Sequence, residues 1–277
     1  MRLGVVVALM GMVAVSPAAI GQGGSARERS SILVGAFVTD RDSSTRVDSE
    51  AGLGTDLSLE DDLGLESSLS VARVGGYYWF TPRHRLDASY FDLSRSATKP
   101  IEETIQFSGR TFGVDSVVES EDQLAILKAD YTFAALARER GFLGVTAGLY
   151  VMQTKLSLRD SRVGAAESED LTAPLPVIGV RGDYFIGERF TLRGAAQWFG
   201  LETDDVDGTL RDFYIGADYG FGDRMAVGLA YNQVSMRIRA QDEDGLRGRL
   251  DWGYDGLLLY FKVAFGQKDA VSSRLGP

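Results

Sequence analysis

Apolar and polar residues alternate along most of this chain with a period of two. The clearest stretch is 123–133, where one face carries Ala125, Leu127, Ala129, Tyr131 and Phe133. The opposite face of that stretch carries Lys128, Asp130 and Thr132. The alternation recurs in residues 190–198, 213–221 and 257–265. Because a helix repeats every 3.6 residues and a strand every two, the pattern predicts β-strands with one apolar and one mixed face.

Ten such strands are predicted, joined alternately by long polar links and short turns. Their ranges are 31–39, 68–80, 84–96, 121–134, 141–159, 172–186, 189–202, 208–221, 224–240 and 247–265. The alternation weakens over 86–95, which predicts a β-bulge there. An even strand number with short turns at one end and long loops at the other is typical of a bacterial outer-membrane barrel. The predicted fold is all-β: an antiparallel up-and-down transmembrane β-barrel.

The N-terminus has the pattern of a secretory signal peptide. Met1 and Arg2 precede an apolar run over residues 3–15, and small residues near a cleavage point after Gly21 or Ala18 follow it. This run is too short for a spanning helix, which needs ~20 residues, although a membrane anchor is the alternative. We predict a signal peptide at 1–21, a periplasmic segment at 22–30, the barrel at 31–265 and a C-terminal extension at 266–277.

A weak repeat precedes the short turns. Each copy contains a tyrosine two residues before its end, and an arginine follows the copy. On the outside of a barrel these tyrosines would share one depth and form an aromatic girdle at the membrane interface. They are Tyr78, Tyr131, Tyr184 and Tyr219. A soluble sandwich is the alternative, but sandwich strands usually run 3–10 residues and several strands here are longer.

The last predicted strand carries a terminal pattern of alternating apolar residues and a late phenylalanine: Gly256, Leu259, Phe261, Val263 and Phe265. With the signal peptide and the ten strands, it resembles the small outer-membrane β-barrels of Gram-negative bacteria, over residues 31–265. The resemblance implies an outer-membrane location and recognition of this strand by the barrel assembly machinery. Residues 266–277 depart from the family, in which many members end on the phenylalanine. Residues 54–65 are similar to a stretch of uncharacterised barrels of this kind, which implies no activity.

Placing the mixed face inward puts ten charges in the lumen. They are Arg73, Lys128, Arg181, Arg193 and Lys262, with Asp87, Asp130, Asp183, Asp212 and Asp218. Unpaired buried charges cost several kcal/mol each, so balanced signs predict a mutually paired network. Eight strands already give a lumen filled by side chains, and ten leave little more room. We expect a plugged interior, with a conducting pore or a gated narrow channel as alternatives.

The long links are strongly acidic. Residues 40–67 contain nine acidic and two basic side chains, and the five long links together carry a formal charge of −20. Such loops either are solvated surface or hold Ca²⁺ or Mg²⁺ that bridges to phosphorylated lipopolysaccharide. Asp56, Glu60 and Asp62 form a weak metal-site candidate, because Asp61 stands where a calcium loop has glycine. The predicted partners are outer-membrane lipid and lipopolysaccharide, with divalent cations as an additional candidate.

Composition excludes several function classes. The 277 residues include no cysteine, which excludes a disulfide scaffold, a cysteine nucleophile and a zinc–cysteine site. The net charge of −10 disfavours nucleic acid as a partner. The one histidine, His84, lies at a predicted short turn, away from where barrel hydrolases act on surface substrates, so a serine nucleophile lacks its base. We predict no catalytic residue, no cofactor and no enzyme activity.

These observations together predict a non-enzymatic outer-membrane barrel with a structural or surface-interaction role, in which the loops are the contact surface. A narrow channel for ions or small solutes is the first alternative. A soluble periplasmic lipid-binding barrel is the second, and it would need an apolar lumen in place of the predicted charges.

Overall fold

The structure, a computed structural model, describes residues 28–47, 55–107, 110–114, 116–161, 166–202, 206–241 and 247–266. Its strands are β1 (Ser30–Val47), β2 (Leu57–Ser58), β3 (Ser68–Thr81), β4 (His84–Pro100), β5 (Ile105–Phe107), β6 (Arg110–Phe112), β7 (Val117–Arg138), β8 (Gly141–Asp160), β9 (Ala166–Ile186), β10 (Phe190–Glu202), β11 (Val206–Phe221), β12 (Met225–Gln241) and β13 (Arg247–Phe265). The predicted signal peptide and residues 267–277 of the predicted extension lie outside the described residues. Within the described ranges, no helix is long and apolar enough to cross a membrane.

Ten strands form one closed antiparallel barrel: β1, β3, β4 and β7 to β13. Each pairs with the next, and β13 pairs with β1 from Ser30 opposite Phe265 to Val47 opposite Gly248. Closure leaves no free sheet edge, so the wall satisfies its own backbone donors and acceptors. The predicted ten-stranded fold is confirmed, and each predicted strand coincides with one of these ten.

Several strands run further toward the long links than the sequence predicts. β1 continues to Val47 and β7 begins at Val117, where the sequence predicts loops over 40–67 and 97–120. The long link after β4 also contains the hairpin of β5 and β6. We call the end of the barrel with the short turns the turn end, and the end with the long links the loop end.

The bulge predicted over residues 86–95 is wrong. β4 pairs with β7 in unbroken register along the whole of His84–Pro100. The register shifts of the wall lie nearer the turn end, one on β3 after Trp79 and one on β7 after Phe133. A local irregularity therefore does not explain the weakened alternation in β4.

The alternation weakens in β4 because the apolar face changes sides there. Leu86 and Tyr90 point outward and are exposed, whereas Phe91 and Leu93, nearer the loop end, point inward and are buried. The outward positions from there on are polar. On six strands the first polar outward residue is exposed and marks the change: Asp40, Asp92, Gln123, Gln153, Gln233 and Asp255.

We call the part of the barrel on the turn-end side of these residues the belt half, and the rest the mouth half. The outside of the belt half is apolar, with Leu259 60% and Ile178 61% exposed. The apolar outward stretch covers seven residues on β1 (32–38) and nine on β8 (143–151). The longer of the two reaches the 9–11 residues of a tilted membrane-spanning strand. A closed wall with such an exterior is that of a transmembrane β-barrel.

The main apolar core fills the lumen at the junction of the two halves and in the mouth half. Phe37, Phe91 and Tyr254 meet there edge to face, with ring centroids 5.5 to 5.6 Å apart. Aliphatic side chains from most strands pack around them, including Ile126 and Met236. The belt half has an apolar exterior and a largely charged interior, whereas the mouth half has a polar exterior and a mainly apolar interior.

Candidate functional site

Charged side chains in the belt half form one continuous chain of alternating sign, which we call the charge chain. In order of contact it runs Glu28, Lys262, Asp218, Arg193, Asp183, Arg85, Asp87, Arg181, Asp130, Lys128 and Asp212, and Asn232 then connects Asp212 to Arg73. Apart from Glu28, which precedes β1, these residues come from eight strands. They occupy inward positions because strand side chains alternate between faces and the other face meets lipid.

Arg85 of β4 connects the two arms of the charge chain. Its guanidinium lies 2.5 Å from the carboxylate of Asp87 and 2.9 Å from that of Asp183 on β9. The ring centroid of Tyr77 lies 4.0 Å from the guanidinium carbon. The Arg85 side chain is 1% exposed. Because a guanidinium offers a rigid fork of donors, one arginine can bind both carboxylates and tie β4 to β9.

One arm runs from Arg85 toward the loop end. Arg181 bridges Asp87 and Asp130, with N–O distances of 3.6 and 3.0 Å. The Lys128 ammonium lies 3.3 Å from the carboxylate of Asp130 and 2.5 Å from that of Asp212. This arm connects β4, β9, β7 and β11, and so crosses the lumen more than once.

Neutral side chains add hydrogen bonds to the carboxylates of this arm. The Gln197 amide donates to Asp130 at 2.9 Å, and the Tyr150 hydroxyl donates to Asp212. The Asn232 amide nitrogen donates to Asp212 at 2.7 Å, while its oxygen accepts from Arg73 at 2.8 Å. Such bonds offset the desolvation of a buried carboxylate, which an ion pair alone rarely does.

The other arm runs from Arg85 toward the turn end. Arg193 lies 3.9 Å from Asp183 and 2.8 Å from Asp218. The Lys262 ammonium on β13 then contacts Asp218 at 2.9 Å and Glu28 at 3.0 Å. This arm therefore extends the contacts to β10, β11 and the last strand.

The charge chain is balanced in charge and leaves little free space. It contains six cationic and six anionic side chains, so the belt half has no net charge from these twelve groups. The cavity among Tyr77, Arg85, Asp130 and Asp212 has a volume of about 80 Å³. That space suits a few water molecules bound to the polar groups around it.

All ten charged residues predicted for the lumen lie in this chain. Arg85 and Glu28 are absent from the predicted set. Arg85 stands two residues before Asp87 and so shares its inward face, which is a signal present in the sequence, although it lies close to the turn at 81–83. Glu28 precedes the first strand, where no alternation could assign a face.

The mouth half contains a second, smaller ion-pair cluster that the sequence analysis does not predict. Arg95 contacts Glu60 at 2.6 Å and Asp122 at 2.8 Å, and Arg41 contacts Asp122 at 2.9 Å. The Arg95 guanidinium also donates to the backbone oxygen of Glu66 at 2.9 Å. Arg95 of the wall thus fastens the link after β1 at two points. Glu60 and Arg41 fall within the link 40–67, predicted as an acidic surface loop, and Asp122 falls in the predicted strand 121–134. All three are buried or nearly so.

An apolar cluster above these ion pairs closes the loop end, and we call it the cap. It consists of Leu57, Leu59, Leu63 and Leu65 from the link after β1, Ile101, Ile105, Phe107 and Phe112 from the link after β4, and Val118, Leu156 and Leu158 from the wall. The four leucines belong to the stretch 54–65. The leucines of this stretch are therefore buried in the cap, while its carboxylates contact residues outside the cap.

The three carboxylates of the metal-site candidate each have a different partner. Asp56 lies 3.3 Å from Arg46, Glu60 contacts Arg95, and Asp62 accepts a 2.7 Å hydrogen bond from the backbone nitrogen of Ser58. Among the residues that the structure describes, no group of three or more potential ligands comes together.

The four tyrosines predicted for the girdle all point outward near the turn end and are 39 to 50% exposed: Tyr78, Tyr131, Tyr184 and Tyr219. Three of their hydroxyls meet basic groups. Arg29 donates to Tyr78 at 3.0 Å, Arg189 lies 3.4 Å from Tyr219, and the Nδ1 of His84 lies 2.5 Å from the hydroxyl of Tyr131. An amphipathic ring beside a cationic group is the arrangement expected at the level of lipid headgroups.

The residues of the terminal pattern lie on β13, which closes the barrel against β1. Leu259 and Phe261 point outward and are exposed, with Val263 and Phe265 half-buried on the same face. Gly256 points the other way, where a Cβ atom would lie 2.3 Å from the backbone oxygen of Val38. The apolar row is thus accessible along the outside of the last strand.

No protein family model matches this chain, and no curated protein sequence matches it. Solved structures do. The toluene transporter TodX of Pseudomonas putida has 8% identity and a TM-score of 0.35, with 87% of this chain and 91% of that one covered. The Ail protein of Yersinia pestis has 12% identity and a TM-score of 0.32, with coverages of 82% and 97%. The translocator domain of the autotransporter NalP of Neisseria meningitidis has 14% identity and a TM-score of 0.41, with coverages of 85% and 88%.

These three proteins are outer-membrane β-barrels. The fold that the predicted resemblance implies is confirmed by the closed ten-stranded barrel itself. At such identities and TM-scores, the similarity carries no conclusion about what this chain binds or transports.

Proposed function

We propose that this chain is a non-enzymatic protein of the outer membrane whose lumen is closed and whose loop end is its contact surface. The observation that carries the proposal is the charge chain. An ion entering the belt half would have to displace paired charges from one another, which costs several kcal/mol for each pair broken. The aromatic layer at Phe37 and the cap lie above it as further barriers.

A structural or surface-interaction role follows from where the polar exterior lies. The wall of the mouth half continues beyond the belt by several residues on β1, β7, β8, β12 and β13, and its outward side chains are polar. In the outer membrane this wall would meet lipopolysaccharide headgroups, and divalent cations between their phosphates and the acidic links are the proposed bridge. The outward row on β13 is proposed as the signal for the barrel assembly machinery.

The membrane placement is tested by envelope fractionation followed by gel electrophoresis with and without boiling. A folded barrel in the outer-membrane fraction should run as a compact species that shifts on heating. A soluble periplasmic protein with no shift would contradict the placement and favour a lipid-carrier barrel.

The closed lumen is tested by reversing one charge, in Arg181→Glu. We expect a less stable barrel without conductance in a planar lipid bilayer, because Asp87 and Asp130 lose their shared partner. A narrow channel would instead keep its conductance and change its ion selectivity. Alanine at Arg83, an exposed turn residue, is the matched control and should change neither property.

A further inference from the structure

The outer wall of the belt half has one wide depression, which we call the lateral groove. It lies on β7 to β11 near the turn end and has a volume of about 760 Å³. Binding sites for small ligands commonly measure 300–1,000 Å³. Its exposed lining is almost entirely apolar, and Arg138 and Arg140 stand at the edge nearest the turn end. Arg181, Asp183 and Arg193 also line it, but their charged groups point into the lumen.

The groove exists because two glycines face lipid side by side. Gly182 on β9 is paired with Gly194 on β10, so two neighbouring strands present no side chain at the same depth. Leu143 of β8 is paired with Gly182, and Ile215 of β11 with Gly194, and these two side chains form the flanks. A bare strip between bulky, exposed flanks is a slot for an extended hydrocarbon chain.

The two arginines give the groove a charged end. On β7, Leu136 lines the groove and Arg138 follows two residues later on the same outward face, roughly 7 Å closer to the turn end. Arg140 lies in the turn just beyond, and both arginines are exposed. The depth of the girdle tyrosine Tyr184, which also lines the groove, corresponds to the level of lipid headgroups.

We propose that the lateral groove is a binding site for one glycerophospholipid of the periplasmic leaflet, with an acyl chain over Gly182 and Gly194 and the phosphate on Arg138 and Arg140. Short turns of outer-membrane barrels face the periplasm, which places both arginines at the headgroups of that leaflet. Charge complementarity favours this occupant, because the arginines attract an anion at the same end at which the apolar slot opens. The inference rests on the proposed membrane placement, which envelope fractionation and the heat shift test separately.

Native mass spectrometry of the folded, full-length protein in a mild detergent tests the site, with palmitoyl-oleoyl phosphatidylglycerol as the titrated probe. Wild type should retain one lipid. Gly194→Leu should reduce retention at least fivefold, because it fills the slot. The substitution is sterically allowed, since the nearest atom to a Cβ there is 3.9 Å away. Arg138→Gln with Arg140→Gln should reduce retention similarly without changing the slot.

Two controls match these variants. Ala36→Leu adds the same side chain to an exposed outward position on β1, and Arg83→Gln removes an arginine at another turn; both should retain the lipid as wild type does. Dioleoylglycerol, which lacks the phosphate, and inorganic phosphate, which lacks the chains, should each bind at least fivefold less.

Three outcomes would overturn the proposal: equal lipid retention in all variants, an equal loss of lipid in the controls, or a dimer that forms through this face and excludes lipid. A compact, heat-shifted species in every variant separates such an outcome from a failure of folding or of the membrane placement.

Discussion

The two halves of this barrel are built from the same alternating strands but differ in which face of the wall is apolar. In the belt half, Leu259 faces outward and the Lys262 ammonium faces inward to Asp218. In the mouth half, outward positions such as Gln233 are polar, and the inward Met236 is buried among apolar side chains. The inversion occurs within single strands, without a bulge in β4, because the solvent outside the wall changes from lipid to water.

The comparison teaches that burial alone does not decide what a side chain must be. The Arg85 side chain and the Phe91 side chain are both almost completely buried, six residues apart on one strand. Phe91 is stabilised by contact with apolar neighbours, whereas Arg85 requires two carboxylates in place. The belt half should therefore tolerate the loss of a partner poorly, and the mouth half should respond to lost volume.

The largest effect is expected from Arg85→Leu. This change removes the residue that connects both arms and leaves Asp87 and Asp183 without their shortest ion-pair contacts, which should cost about 3–5 kcal/mol of unfolding free energy. Urea titration in detergent, followed by tryptophan fluorescence, measures the loss. Arg83→Leu, two residues away and exposed, should stay within about 0.5 kcal/mol of wild type. Similar stability for both variants would show that the charge chain does not hold the belt half together.

The aromatic layer at the junction of the two halves should lose about 3 kcal/mol of unfolding free energy in Phe91→Ala, because the triangle with Phe37 and Tyr254 loses one member and leaves a cavity. The same titration measures it. Phe91→Leu keeps most of the volume and should cost less than half as much. If alanine and leucine prove equally costly, volume is not what stabilises this region.

The change from an apolar to a polar outer face can be tested by placing one arginine on the outer face of each half. Leu259→Arg puts a charge in the lipid belt and should cost about 2–3 kcal/mol, as charged residues do near the midplane of membrane barrels. Gln233→Arg, on the neighbouring strand but in the mouth half, should cost about 0.5 kcal/mol or less. Unfolding in lipid vesicles measures both, and equal costs would mean that the boundary lies elsewhere.

The smallest effect is expected from Glu60→Gln, which weakens one contact of Arg95 while Asp122 remains. We expect about 1 kcal/mol or less, with faster cleavage of the link over residues 55–67 by proteinase K. Glu121→Gln, an exposed carboxylate on the outer face, should digest as wild type does. Unchanged cleavage in Glu60→Gln would indicate that the leucines of the cap alone hold this link.

Much of the fold could be predicted because side chains of a membrane barrel alternate between lipid and lumen, so that polarity along each strand has a period of two. The ten strands could be predicted from alternation together with the short turns and long polar links between them. Ten inward charges of the belt half, among them Lys128 and Asp212, could be predicted from alternation. Alternation shows which side of the wall a residue faces, but it does not show the depth of that residue along the barrel axis. The predicted inward set therefore omits Arg85, and alternation could not show that this residue connects the two arms.

The mouth half could not be predicted in the same way, because its faces carry the opposite polarity. Outward polar residues there look like loop residues, so the extension of β1 to Val47 is interpreted from sequence as part of an acidic link. The contact of Arg95 with Glu60 joins positions 35 residues apart through a link with no regular period. Burial of Asp122 likewise depends on two arginines that only the closed wall brings together.

Single-channel recording of the folded wild-type protein in planar lipid bilayers tests the closed lumen most directly. The charge chain predicts no conductance steps, either for wild type or for Glu60→Gln, because loosening the loop end leaves the belt half closed. Steady open-channel steps in wild type would contradict a closed lumen and would make the barrel a narrow channel.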